Sequence, residues 1–251
     1  MMSKVSIAIK IAWKMIKLIF TLCIFAVIAV LIWRIASSGD PKDMKTVYPT
    51  ERLVELYESQ GKDLYMFKQE QRSITSGEDN YAYFAVTSYR IIPEINQIEI
   101  LVRYNTATIR NVSADYGLDE IPSRDTDMFD ISLVLAKDLT PDDDTDNLGN
   151  ARESVEFVRC FGEVVEKTEK NLYNFKRIVF NTDSVGIDLS EMIEESTLLA
   201  VYTDFYLDYE DITPDYDKDP IGAVCLYDYL SANERIKLTS KDVKAIENAA
   251  K

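Results

Sequence analysis

The chain of 251 residues contains no histidine. Imidazole is the side chain that exchanges a proton near neutral pH, so its absence removes whole classes of chemistry. Ser-His-Asp and Cys-His hydrolases, HExxH metalloproteases and kinases that phosphorylate a histidine of their own are all excluded. Cysteine is scarce too: Cys23, Cys160 and Cys225 are the complete set. Three dispersed cysteines without histidine build neither a Cys-rich zinc site nor a CxxC redox pair. Glycine (8) and proline (7) are few, and no GxSxG elbow, Walker loop or GxGxxG fingerprint occurs.

Positive charge is also in short supply, and it is unevenly placed. The chain has 28 basic and 43 acidic residues, net −15. Five of the basic residues, Lys4, Lys10, Lys14, Lys17 and Arg34, lie in the first 34 positions, and no acid precedes Asp40. The remainder therefore carries 23 basic against 43 acidic residues, net −20. Such a surface repels nucleic acid and anionic lipid and favours a cation or a basic partner.

What is present is a long apolar run. Leu18 to Trp33 has no charge, proline or glycine. As a helix it covers roughly 24 Å, close to the hydrocarbon thickness of a bilayer. Lys17 and Arg34 bracket it, with stems long enough to reach the interfaces. A transmembrane helix over 18–36 is expected, preceded by a basic juxtamembrane segment, 1–17. Lys10, Lys14 and Lys17 share one helical face, next to anionic headgroups. Positive flanks stay cytoplasmic, so the rest of the chain is expected outside. A cleaved signal peptide is the rival, with Ala36 and Ser38 as the small residues. Arg34 stands between the run and those residues, which favours an uncleaved anchor.

Residues 37–62 read as a linker with Gly39, Pro41 and Pro49, then a short stalk helix over 51–60, capped by Thr50 and ended by Gly61. From 63 to 251 the period changes to two. Strands are expected over 64–75, 81–92, 97–104, 129–136, 154–166, 174–181, 198–209 and 222–230. In 97–104, Ile98, Ile100, Val102 and Tyr104 face one way, and Gln97, Glu99 and Arg103 the other. The turn at Pro93 to Asn96 makes a hairpin with the preceding strand. A helical turn is expected near 190–195. The last element is a helix over 240–250, with Thr239 and Asp242 as a capping box. No long helices separate the strands, so the fold class is mostly β: a membrane helix and then an antiparallel β-sandwich with short flanking helices. The strand rhythm is similar to that of immunoglobulin-like folds, in architecture alone.

Two acidic stretches carry candidate sites. Asp142, Asp144, Asp146 and Glu153 stand at positions 1, 3, 5 and 12 of an EF-hand loop, where carboxylates converge on calcium. The loop departs from the pattern at Asn147 and Gly149 and comes directly after Pro141. The second stretch comes after a strand and offers Tyr209, Asp211, Asp215 and Tyr216 as a ligand-binding set for a basic peptide or a sugar. Cys160 and Cys225, both in apolar strand segments, are either a disulfide or two buried thiols.

The expectation is a membrane-anchored, extracytoplasmic binding or assembly module. It is non-catalytic, without cofactor unless calcium occupies the acidic loop, and its partner is a protein or envelope material. The alternatives are a carboxylate-dependent hydrolase of envelope polysaccharide and a calcium-dependent adhesion or sensor domain.

Overall fold

The computed structural model describes residues 2–61, 63–73, 84–123, 125–136, 157–194, 198–218, 220–229 and 235–251. The chain divides into two compact units, Met1–Gly39 and Asp40–Lys251. The first is a single helix, α1 (Met2–Ser38). Its stretch Trp13–Trp33 has a mean hydropathy of 2.8 and is long and apolar enough to cross a membrane. Lys17 lies over the ring of Trp13, 5.6 Å from its centroid.

The second unit is mostly β. In chain order its elements are α2 (Glu51–Gln60), β1 (Tyr65–Ser73), β2 (Ala85–Ile92), β3 (Gln97–Asn105), α3 (Thr106–Asp115), β4 (Phe129–Ala136), β5 (Phe157–Lys170), β6 (Tyr173–Asn181), α4 (Leu189–Glu194), β7 (Leu198–Leu207), β8 (Gly222–Tyr229), β9 (Ile236–Lys237) and α5 (Ser240–Ala249). All nine strands belong to one antiparallel sheet of order β8-β7-β4-β5-β6-β3-β2-β1-β9. The sandwich expected from the strand rhythm therefore gives way to one continuous, curled sheet.

Strand β5 is the reason. Its first part, Phe157–Phe161, pairs with β4, and its second part, Gly162–Lys170, pairs with β6. The strand thus passes from one half of the sheet to the other, as corner strands do. Gly162 sits at the crossover. A Cβ there would lie 2.6 Å from atoms of Ile178 and Phe180, closer than packing allows. A register shift between Val164 and Glu166 adds the bulge that bends the strand. The alternation of period two continues straight through 157–166, so the corner is hidden within what reads as an ordinary strand.

The curl encloses one core. Ile98, Ile100, Val102, Ile131, Leu133, Ile178, Phe180, Val201 and Phe205 are buried together on its inner face. Phe84, just before β2, stacks on Phe205 of β7 with centroids 4.2 Å apart and meets Phe129 of β4 edge-on at 5.0 Å. Strands far apart in the sheet order thus close on each other through aromatic contacts. Helix α3 is an addition to the elements expected from sequence. Its stretch, TATIRNVSAD, is rich in β-branched residues, but a capping box between Asn105 and Thr108 starts it, and Ile109 and Val112 are buried. The other helical expectations hold: Thr50 caps α2, Gly61 ends it with φ +77°, and Thr239 with Asp242 forms the capping box of α5.

The linker and stalk helix are part of the domain. Val47 and Leu53 are completely buried in a second cluster with Leu64, Met66, Ile92, Leu238 and Ile246. Tyr57 of α2 donates to Glu247 of α5 at 2.8 Å, and the Val47 amide donates to Asp242 at 2.9 Å. Residues 43–50 form a strap across the outer face of β2, β3 and β6. Arg90 donates to the carbonyls of Met44 and Lys45, and Arg177 to those of Thr46 and Asp43, the latter pair both at 2.9 Å. Glu99 pairs with Arg90 and accepts the Tyr48 amide at 2.8 Å. Gln97 and Glu99 on the polar face of β3 are therefore buried like its apolar face, and Glu99 serves as a hydrogen-bond partner for the strap's backbone.

Candidate functional site

On the same outer face, the half formed by β4, β5 and β7 carries a different cluster. Cross-strand pairing sets it up. Ser132 of β4 lies opposite both Phe161 of β5 and Asp204 of β7, and Asp130 lies opposite Tyr206. Residues in register point to the same side, and their neighbours Cys160, Leu133 and Phe205 point into the core.

Arg159 is the centre. It donates to Ser132 Oγ at 2.7 Å and to the Tyr206 hydroxyl at 3.2 Å, and it lies 3.4 Å from Asp204 Oδ2. Its guanidinium lies over two rings, 5.2 Å from the centroid of Tyr206 and 5.0 Å from that of Tyr216. Tyr216 comes from the loop after β7 and folds back over the sheet. Its ring meets Tyr206 at 5.1 Å and Phe161 at 5.3 Å, both edge-on, and its hydroxyl donates to Asp130 at 2.8 Å. Burial and the Asp130 carboxylate push the Tyr216 phenol up to about 12. The phenol therefore stays neutral at physiological pH and keeps donating.

The cluster is preorganised yet accessible. Phe161 is 55 % exposed and Tyr216 38 % exposed. Aromatic rings and arginine in a rigid, half-open arrangement are the composition of interaction hot spots. Exposed carboxylates flank them along the chain: Asp208, Asp211, Asp215 and Asp217, with Asp215 paired to Lys218 at 2.8 Å.

Of the four residues expected from sequence to form a ligand set, Asp211, Asp215 and Tyr216 border one open surface of the loop, and Tyr209 does not. Tyr216 reaches the Arg159 cluster, whereas Tyr209 packs against the core and closes a bridge with Ile212. Arg159, Phe161 and Asp130 are the residues that sequence reasoning missed. Their signal is present in the alternation of β5 and β7, which sends Arg159, Phe161, Asp204 and Tyr206 outward. An outward residue nevertheless reads as solvated until a loop is seen to cover it.

Among the described residues, no group of three or more acidic or cysteine side chains is placed to hold a metal ion. The calcium-loop residues Asp142, Asp144, Asp146 and Glu153 lie outside the described residues. Of the two readings of the cysteines, the sheet favours separate residues. Cys160 is a buried free thiol whose acidity burial lowers, and it lies on β5 in register with Leu133. Cys225 lies on β8 in register with Tyr202, with β4 and β7 between the two strands. Three inter-strand steps of about 4.8 Å exceed the Cα separation a disulfide spans. Comparison with protein-family models, with curated proteins and with solved structures finds no match for the chain.

Proposed function

We propose that the protein is a single-pass, membrane-anchored binding module, with its N-terminus cytoplasmic and its β domain outside the membrane, and that it docks a basic protein segment on the Phe161–Tyr216–Arg159 surface. The observation that carries this reading is the exposed edge-on pair of Phe161 and Tyr216, locked in place by Arg159 and Asp130 and bordered by an acidic loop. An apolar anchor on the partner packs against the exposed surfaces of the two rings, and lysines or arginines beside it meet Asp208, Asp211 and Asp217. The net charge of −20 beyond the helix supports a cationic partner through long-range attraction. The lysine-flanked helix supports the orientation. The histidine-free sequence supports binding rather than catalysis.

The test is photo-crosslinking in cells from a reactive residue placed at position 163, on the same strand as Phe161. An adduct abolished by Phe161→Ala with Tyr216→Ala, and weakened by raised salt, is expected. An adduct unchanged by the double substitution rejects the surface. Topology is tested separately by protease digestion of spheroplasts. Cleavage of the β domain while a cytoplasmic control stays protected is the expected result. Protection of the domain until detergent is added places it inside.

A further inference from the structure

A second site lies at the open end of the core, away from the Arg159 surface. A cavity of about 220 Å³ is bounded by Tyr104 of β3, Asn174 and Lys176 of β6, Lys167 of β5, and the loop that carries Asp125 and Asp127. Its volume corresponds to about seven waters at ~30 Å³ each, which suits a small molecule and not a lipid chain.

Lys176 is the unusual feature. Its side chain is 3 % exposed on the inner face of the sheet, with the ammonium 5.6 Å from the centre of the Tyr104 ring. Burial pulls its pKa below the usual lysine range. An ammonium so placed needs an anion, and the one that meets it comes from a loop: one Asp127 oxygen contacts Lys176 and the other contacts Lys167. Burial alone would raise the Asp127 carboxyl, but the two ammonium groups hold it below the usual carboxylate range. Asp127 itself is 44 % exposed and sits in a stretch of chain between α3 and β4 that is fastened by short-range bonds of Ser123, Asp125 and Thr126. Glu169 also lines the cavity, at an exposed position of β5. The Asp127 carboxylate is thus a tethered guest at the mouth of a cavity whose buried wall is cationic.

We infer that this cavity is a binding site for a small carboxylate, which takes the place of Asp127 between Lys176 and Lys167 as the loop swings aside. The two ammonium groups, one to each oxygen of Asp127, are placed for the two oxygens of a carboxylate. The Tyr104 ring and the alkyl stems of the lysines accommodate a short apolar body, and Glu169 at the rim disfavours ligands with a second negative charge. The tethered Asp127 competes with any external ligand, so affinity in the parent protein is reduced by the fraction of time the loop is closed.

The experiment uses the full chain in nanodiscs. Thermal unfolding is measured with sodium butyrate, sodium phosphate and sodium chloride at equal ionic strength. Butyrate is expected to raise the melting temperature saturably, with chloride and phosphate without such an effect. In Asp127→Asn the tethered competitor is gone, and butyrate should bind about tenfold more tightly or better. Asp127→Asn with Lys176→Met removes both charges together, so that no buried ammonium is left unpaired, and this variant should not respond. A butyrate response of Asp127→Asn no larger than that of the double variant overturns the proposal. So does an equal response to all three salts, which marks a general anion effect.

Discussion

The outer face of the sheet holds arginine in two ways, and the contrast separates structure from function. On the β2–β3–β6 half, Arg90 and Arg177 have side chains 2 % and 1 % exposed. Their donors end on backbone carbonyls of the strap and on Glu99, and Arg177 Nε lies 3.0 Å from Glu166. The Arg90 and Arg177 charges are thus met within the fold by strap carbonyls and carboxylates. On the β4–β5–β7 half, Arg159 keeps 21 % exposure and is held by rings and hydroxyls together with the buried Asp204 carboxylate. A guanidinium flanked by π-faces keeps its geometry without being sealed from water, so the surface around it stays open to a partner. The same residue type, on the same face of one sheet, fastens the chain in one place and presents it in another.

The contrast can be broken first at its sealed half. Glu99→Ala strips Arg90 of its carboxylate in a fully buried setting and should destabilise the domain by about 3–5 kcal/mol, read by urea unfolding of the detergent-solubilised chain. A loss below about 1 kcal/mol would mean that the strap's carbonyls suffice. Next comes the corner between the halves. Gly162→Ala drives a methyl into Ile178 and Phe180, and a cost of about 1–3 kcal/mol is expected by the same measurement. At the open half, Arg159→Met should cost about 1–3 kcal/mol, because solvent screens the partly exposed guanidinium but the buried Asp204 carboxylate loses its cation, while partner crosslinking falls sharply. Equal stability losses for Glu99→Ala and Arg159→Met would erase the distinction between the two halves.

The finest test is the titration of Tyr216. Its folded pKa is raised above the free value of 10.0, to about 12. The stabilisation that comes from keeping the phenol protonated is therefore complete below about pH 10 and is lost as the pH rises through about 12. Tyrosinate absorbance should lose one of its late-titrating phenols, above about pH 11, in Tyr216→Phe, and that variant should flatten the stability curve between about pH 10 and 12. A phenol that titrates near 10 would show that Asp130 does not engage it.

Much of the secondary structure is legible because its signals are local. The eight long strands track the alternation of β-branched and aromatic residues, and Thr50, Gly61, Thr239 and Asp242 mark helix ends by chemistry that acts within about four residues. The two-residue strand β9 is too short to carry a period, and α3 runs against the propensity of its β-branched residues. Of the ligand set expected from sequence, Tyr216 alone belongs to the candidate surface. Its partners Arg159 and Phe161 lie on β5, more than 50 positions earlier, and become neighbours when loop 208–218 folds over the sheet. The cavity around Lys176 is only half legible: the alternation of NFKRIVFN puts Lys176 in phase with the core residues Ile178 and Phe180, but the loop that brings Asp127 to meet it there is placed by the tertiary structure.

The sequence by itself determined the apolar helix, the acidic character of the chain beyond it and the positions of the strands. Each of these depends on residue type and on spacings of about two to four positions. The tertiary structure decided that the strands form one curled sheet and not two, that the linker is a strap, and which arginines and which lysine face water, strap or cavity. Those outcomes rest on contacts between residues tens of positions apart, and on one glycine at a strand crossover, where a single absent methyl lets two halves of a sheet meet.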